Sequence, residues 1–262
     1  LMKCKIKLYA VLCIIAMSAL SASAWGRLGH DAVAGIAEKH LTPRAKANIE
    51  RYLGNHSIVY YASWMDWVRQ MPHYSHSSRW HASNVDSLGV YYPSQRRDAV
   101  EGCRKTFDNL RRHKEMTDSA VADNIKLFVH IVGDMHCPGH AFYTGYDQKN
   151  IYFKLNGKKA QVHDFWDNWV LDQHPWQYKE YVEQLDRFDD RQIAEMQKGT
   201  PEEWATESGK AISGTYGWFE NGRDYDKAET YSRILAGEKI AHERIVRAGY
   251  RLARLLNEVF DY

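Results

Sequence analysis

The stretch 118–140, DSAVADNIKLFVHIVGDMHCPGH, decides how this chain is read. Val121, Ile125, Phe128, Val129 and Val132 recur at three-and-four spacing, which predicts a long helix from Asp118 to Met135. His130 and Asp134 interrupt the apolar tract four residues apart, so both leave the helix on one face. An apolar helix that buries an imidazole and a carboxylate must give each a partner. Pro138 and Gly139 break the helix, and His140 follows ten residues after His130.

Helical periodicity continues outward from this segment. Gly29 to His40 reads as a helix with Val33, Ile36 and Ala37 on its apolar side. Thr42-Pro43 offers an N-cap and a first-turn proline for the next helix, which Gly54 closes after Leu53. Further helices are expected over Ile58–Gln70, Phe165–Leu171 and Glu229–Phe260, the last with a break near Gly237. The exception is Ile151–Leu155, Asn156-Gly157, then Lys158–Val162, where Asn-Gly between short runs signals a two-residue hairpin. No repeat, low-complexity tract or linker divides the chain. The expected fold is all-α: a single, mostly helical domain over 25–262 with one small β-hairpin.

The four-residue spacing recurs at His163 and Asp167, just after the hairpin. Asp66 lies in ASWMD and His81 follows Trp80. Zinc takes imidazole nitrogen and carboxylate oxygen in sites of about four ligands. With Trp25 and His30, the candidates Asp66, His81, His130, Asp134, His140, His163 and Asp167 suffice for more than one ion. His136 reads as a supporting residue rather than a ligand, and the other histidines show no comparable spacing.

Trp25 enters that set because of what precedes it. Lys3, Lys5 and Lys7, the apolar run Leu8–Leu20 and the small-x-small site Ala22-Ser23-Ala24 read as a secretory leader over 1–24. Cleavage after Ala24 frees the Trp25 amine, which with its own carbonyl and His30 can chelate a metal. Export, to a secreted or periplasmic location, is the expectation, with no membrane anchor left afterwards. Three of the 35 Lys and Arg residues lie in the leader, leaving 32 against 33 acids. So near-neutral a chain has no broad electrostatic face for duplex nucleic acid, and a polyanion must be gripped locally. Of four cysteines, Cys103 and Cys137 follow the leader, and the sequence leaves open whether they pair.

These residues closely resemble the zinc-dependent, single-strand-specific nucleases of fungi and plants, a family with bacterial relatives. The resemblance covers nearly all of 25–262. It rests on WGRLGH at 25–30, ASWMD at 62–66, Trp80-His81, VHIVGDMHCPGH at 129–140, HDFWD at 163–167 and GYRLARLLNEVF at 249–260. It implies a helical fold of the phospholipase C and single-strand nuclease type with three zinc ions. By that carry-over Asp66, His81, His130 and Asp134 hold one zinc. Trp25 and His30 share Asp134 on a second, and His140, His163 and Asp167 hold the third. Arg69 and Asn150 match residues that meet the phosphate, Asp66 orients the attacking water, and Asn84 sits at a base-reading position. The implied reaction is hydrolysis of single-stranded DNA and RNA, and of 3′-mononucleotides, at the 3′-O–P bond to leave 5′-phosphates. No obligate protein partner is implied.

One residue departs from the pattern. Ala82 stands where many relatives carry an aromatic that stacks on a base, and Tyr143, Tyr146 and Tyr152 are the rings available to replace it. The rival reading, a zinc-dependent phospholipase C, also has an N-terminal Trp and three zincs. The five-residue step from Trp25 to His30, and Asp167 where the lipase has Glu, favour the nuclease branch. A non-catalytic zinc-binding protein fits less well with Arg69 and Asn150 in place.

Overall fold

The computed structural model describes residues 25–262; the expected leader and its cleavage site lie outside the described residues. Helix α1 (Arg27–Lys39) is followed by α2 (Pro43–Tyr52), where the Thr42 side chain accepts from the Ala45 N–H and Gly54 turns the chain out at φ +65°. The segment expected as one helix over 58–70 is two pieces, a 3-10 turn at Ile58–Tyr61 and the short α3 (Trp64–Val68). A 3-10 stretch, Pro72–His81, leads into β1 (Ser83–Val85) and β2 (Tyr91–Tyr92), and then α4 (Ala99–Arg111).

Helix α5 (Asp118–His136) matches the sequence reading to within one residue, with Thr117 as its cap. It runs through the centre of the molecule with Ile125, Phe128, Ile131 and Val132 wholly buried, each side chain contributing about 1.5–3 kcal/mol of burial. Beyond it come β3 (Ala141–Phe142) and the hairpin of β4 (Tyr152–Leu155) and β5 (Lys158–Gln161). Asn156 and Gly157 both take positive φ, 49° and 79°, as a two-residue turn requires. Helix α6 (Val162–Asp164) passes directly into a π turn at Phe165–Trp169. Then follow α7 (Tyr178–Leu185), α8 (Asp190–Met196), α9 (Pro201–Ser213), β6 (Asp224–Tyr225) and α10 (Lys227–Phe260).

The expected break at Gly237 is absent: α10 is continuous for 34 residues. Glycine is there for closeness, since a Cβ would lie 2.9 Å from both Phe165 and Val170. Helix α1 packs along α10, and α4 along α5, and one hydrophobic core extends from Trp25 to Phe260. Strands β5, β4 and β6 form one small sheet; β2, β1 and β3 form a second that the sequence reading did not foresee. In the second sheet β1 and β3 run parallel, pairing Ser83 with Ala141 and Asn84 with Phe142. Those strands begin just after His81 and His140, so the pairing draws two candidate ligands from distant segments together.

Candidate metal centre

The candidate ligand side chains are almost wholly buried and meet around α5. Asp134 is wholly buried and its two carboxylate oxygens face different neighbours. Oδ1 lies 3.2 Å from His30 Nε2, while Oδ2 lies 3.0 Å from His81 Nδ1 and 3.3 Å from His130 Nε2. Asp66 Oδ1 completes this side, 3.7 Å from His81 and 3.8 Å from His130. On the far side His163 Nε2 is 3.3 Å and His140 Nε2 4.0 Å from the Asp167 carboxylate. Three sets have ligand atoms mutually within 4.8 Å: His30, His130 and Asp134; Asp66, His81 and His130; Cys137, His140 and Asp167.

Neighbouring backbone fixes the rings. His130 Nδ1–H donates to the Ala62 carbonyl at 2.8 Å, and His163 Nδ1–H to the Gly139 carbonyl at 3.0 Å, so each Nε2 turns inward as a ligand nitrogen. His140 Nδ1 meets the His81 carbonyl. The His30 and His130 rings stack at 3.9 Å, and this closeness depends on Gly133, where a Cβ would come within 2.9 Å of His30 Nδ1. Trp25 is fully buried, and the Gly26 N–H donates to the Asp167 carbonyl at 2.7 Å, which ties this segment to the cluster.

Charge and burial conflict here in an informative way. Burial lowers His30, His81 and His163 and takes His140 down to about 4, keeping these imidazoles neutral, the form that ligates. Burial would lower His130 too, but Asp134 and Asp66 raise it to about 9. Burial pushes Asp167 well above its usual range, and the neighbouring acids Asp164, Asp134 and Asp66 push the same way. His30 Nε2, His81 Nε2, His140 Nε2, His163 Nε2 and Asp134 Oδ1 are buried without a hydrogen-bond partner. Polar atoms in that state are costly, and a convergent set of nitrogen and carboxylate donors suits a divalent cation.

The remaining expected residues divide. Arg69 lies one turn beyond Asp66, its guanidinium 3.5 Å from Oδ1 and the side chain 16% exposed. Asn150 is exposed, and both its amide (2.6 Å) and its backbone N–H (2.9 Å) point to Asp147 rather than into the cluster. Asn84 is buried and donates to the Arg97 carbonyl at 3.3 Å. Tyr143 and Tyr146 pack against Tyr216, and Tyr152 is exposed. Cys103 and Cys137 are separate buried thiols. The sequence reading passed over Cys137 as a neighbour of the third set, although its Cys-x-x-His step to His140 was visible.

The family model described as S1/P1 Nuclease matches residues 25–261. The chain belongs to the S1/P1 nuclease family. Within curated relatives it is 27% identical to Nuclease P1 of Penicillium citrinum over 56% of this chain and 58% of that one. It is 26% identical to Nuclease S1 of Aspergillus oryzae, covering 55% and 53%. With Endonuclease 2 of Arabidopsis thaliana the identity is 25% over 97% of this chain and 98% of the relative. The matched part thus spans less than two thirds of the two fungal relatives' length. Family membership accounts for a helical fold whose polar interior is a candidate metal-binding cluster.

Proposed function

We propose that this S1/P1-family chain is an exported zinc-dependent hydrolase that cuts single-stranded DNA and RNA, and 3′-mononucleotides, at the 3′-O–P bond to leave 5′-phosphates. The observation that carries it is Asp134, whose one oxygen faces His30 at 3.2 Å and whose other faces His81 at 3.0 Å, as a carboxylate shared by two ions would. His140, His163 and Asp167 would hold a third ion, and a free Trp25 amine and carbonyl would complete the His30 set. When bound, zinc polarises the phosphoryl oxygen and makes water more acidic.

The chain's own residues supply the rest. Asp66, whose side chain is 8% exposed, has an oxygen toward the His81 and His130 side and can orient a water there and accept its proton. Arg69 stands one turn further out, placed to meet a phosphate with a fixed fork of donors. Asn84 would lie beside the base. Asn150 would have to leave Asp147 to join Arg69 at the phosphate. A recessed site takes an unpaired nucleotide, which can be splayed out, more readily than a duplex. No helix among the described residues is long and apolar enough to cross a membrane.

The test is purified protein beginning at Trp25, assayed on single-stranded DNA, RNA, 3′-AMP and phosphatidylcholine, with zinc counted by elemental analysis. Three zincs and hydrolysis of the nucleic acids are expected; cleavage of the lipid alone would overturn the reading. Arg69→Ala should lower kcat about 100-fold, equally across the four 3′-mononucleotides, because the guanidinium serves a shared phosphate. A base-selective loss would contradict that role.

A further inference from the structure

Two cations converge on one ring beside the metal centre. Arg97 lies over Phe142 with its guanidinium carbon 4.2 Å from the ring centroid, and Lys149 Nζ lies 5.6 Å from the same centroid. Phe142 is buried, follows His140 by two residues, and its ring is 6.5 Å from that of His163. The Arg97 backbone is fixed by the Asn84 amide. Other prominent cations are matched by acids: Arg223 by Glu220 and Glu229, Arg251 and Arg244 by Glu207, Lys39 by Asp186. Among the described residues no carboxylate lies within 4.0 Å of Arg97 or Lys149. The nearby acid Asp147 accepts from the Asn150 amide and the Lys149 backbone N–H and acts on both cations from beyond ion-pair distance.

What sets this pair apart is its place: two cations without an ion pair share one ring that borders the candidate metal-binding cluster. We infer that Arg97 and Lys149, seated on Phe142, form a second phosphate subsite that holds the phosphate next to the scissile one in a nucleic-acid strand. The preferred substrate class is then an oligonucleotide rather than a mononucleotide, which has no second phosphate to offer. Burial and the neighbouring Arg96 lower Arg97 against an opposing pull from Asp147, and burial, Arg97 and Arg69 lower Lys149 against Asp167 and Asp147. The inference rests on the proposed nuclease reading.

The experiment compares wild type, Arg97→Ala, Arg97→Lys and Lys149→Ala on a short single-stranded oligonucleotide and on a 3′-mononucleotide, across a salt series. Arg97→Ala and Lys149→Ala should each raise KM for the oligonucleotide about tenfold, the scale of one lost charge-assisted contact, with kcat, mononucleotide turnover and zinc content unchanged. Each should also flatten the log–log salt slope by about 0.7, the increment for one phosphate on a single strand. Arg97→Lys should keep most of both. Equal effects on the two substrates, an unchanged slope, or loss of zinc would overturn the subsite. Wild type inactive on both substrates would instead sink the nuclease reading, and the subsite with it.

Discussion

Helix α5 carries two buried polar clusters, and they are built on opposite terms. Around His136 every group is served. Its Nδ1–H donates to the Val132 carbonyl at 2.7 Å, and its Nε2 accepts from Arg251 at 2.9 Å. Arg251 in turn grips both oxygens of Glu207 at 2.8 Å, and Arg244 adds a third bond to that carboxylate at 2.9 Å. Around Asp134 and Asp167, by contrast, the Nε2 atoms of His30, His81, His140 and His163 are buried without a hydrogen bond, although carboxylates stand close to several of these rings. Burial is the same in both places; satisfaction is not. A buried histidine is thus marked as a candidate ligand less by its spacing than by a ring nitrogen left without a hydrogen bond.

The largest break in that comparison should come from Asp134→Ala. The two proposed zinc sets would lose their shared carboxylate, so bound zinc should fall by two ions, hydrolysis should drop to background and thermal stability should fall with it. Three zincs retained by elemental analysis would refute the shared role. Arg251→Met attacks the other cluster and should cost about 1–3 kcal/mol in denaturant unfolding, because buried His136 loses its donor and Glu207 keeps only Arg244. Zinc content should stay at the wild-type value; a loss of zinc would mean that the two clusters are one system.

The smallest effect is expected from acid. Burial alone would raise Glu207, but Arg251 and Arg244 bring it to about 2 from an ordinary value of 4.5. Because the folded value is the lower one, its stabilisation is complete above about pH 4.5 and is lost as pH falls toward 2. In chelator-treated protein, the Tm gap between wild type and Glu207→Gln should narrow over that window. A gap that stays constant from pH 5 to pH 2 would remove Glu207 from the account.

Much of this was legible in the sequence. The four-residue steps His130–Asp134 and His163–Asp167 are local facts of helix geometry, and the structure brings both pairs to the same interior. Thr117, Thr42 and Asn156-Gly157 mark element boundaries through chemistry confined to a few residues. What escaped depends on distant partners. The 58–70 segment breaks because it must turn Asp66 toward α5, and Gly237 looked like a breaker because sequence cannot reveal the Phe165 ring against it. The meeting of Arg97, Lys149 and Phe142 follows from the pairing of β1 with β3, two short strands with no periodic signal of their own.

That contact at Gly237 has a consequence for how damage spreads. Phe165 opens the π turn that carries Asp167, and α10 stands directly behind it. The C-terminal helix is thus the anvil behind the turn that carries Asp167, though none of the proposed ligands lies on it. A side chain added at position 237 would press on Phe165 and Val170, so its damage would reach the turn that carries Asp167 from outside the cluster.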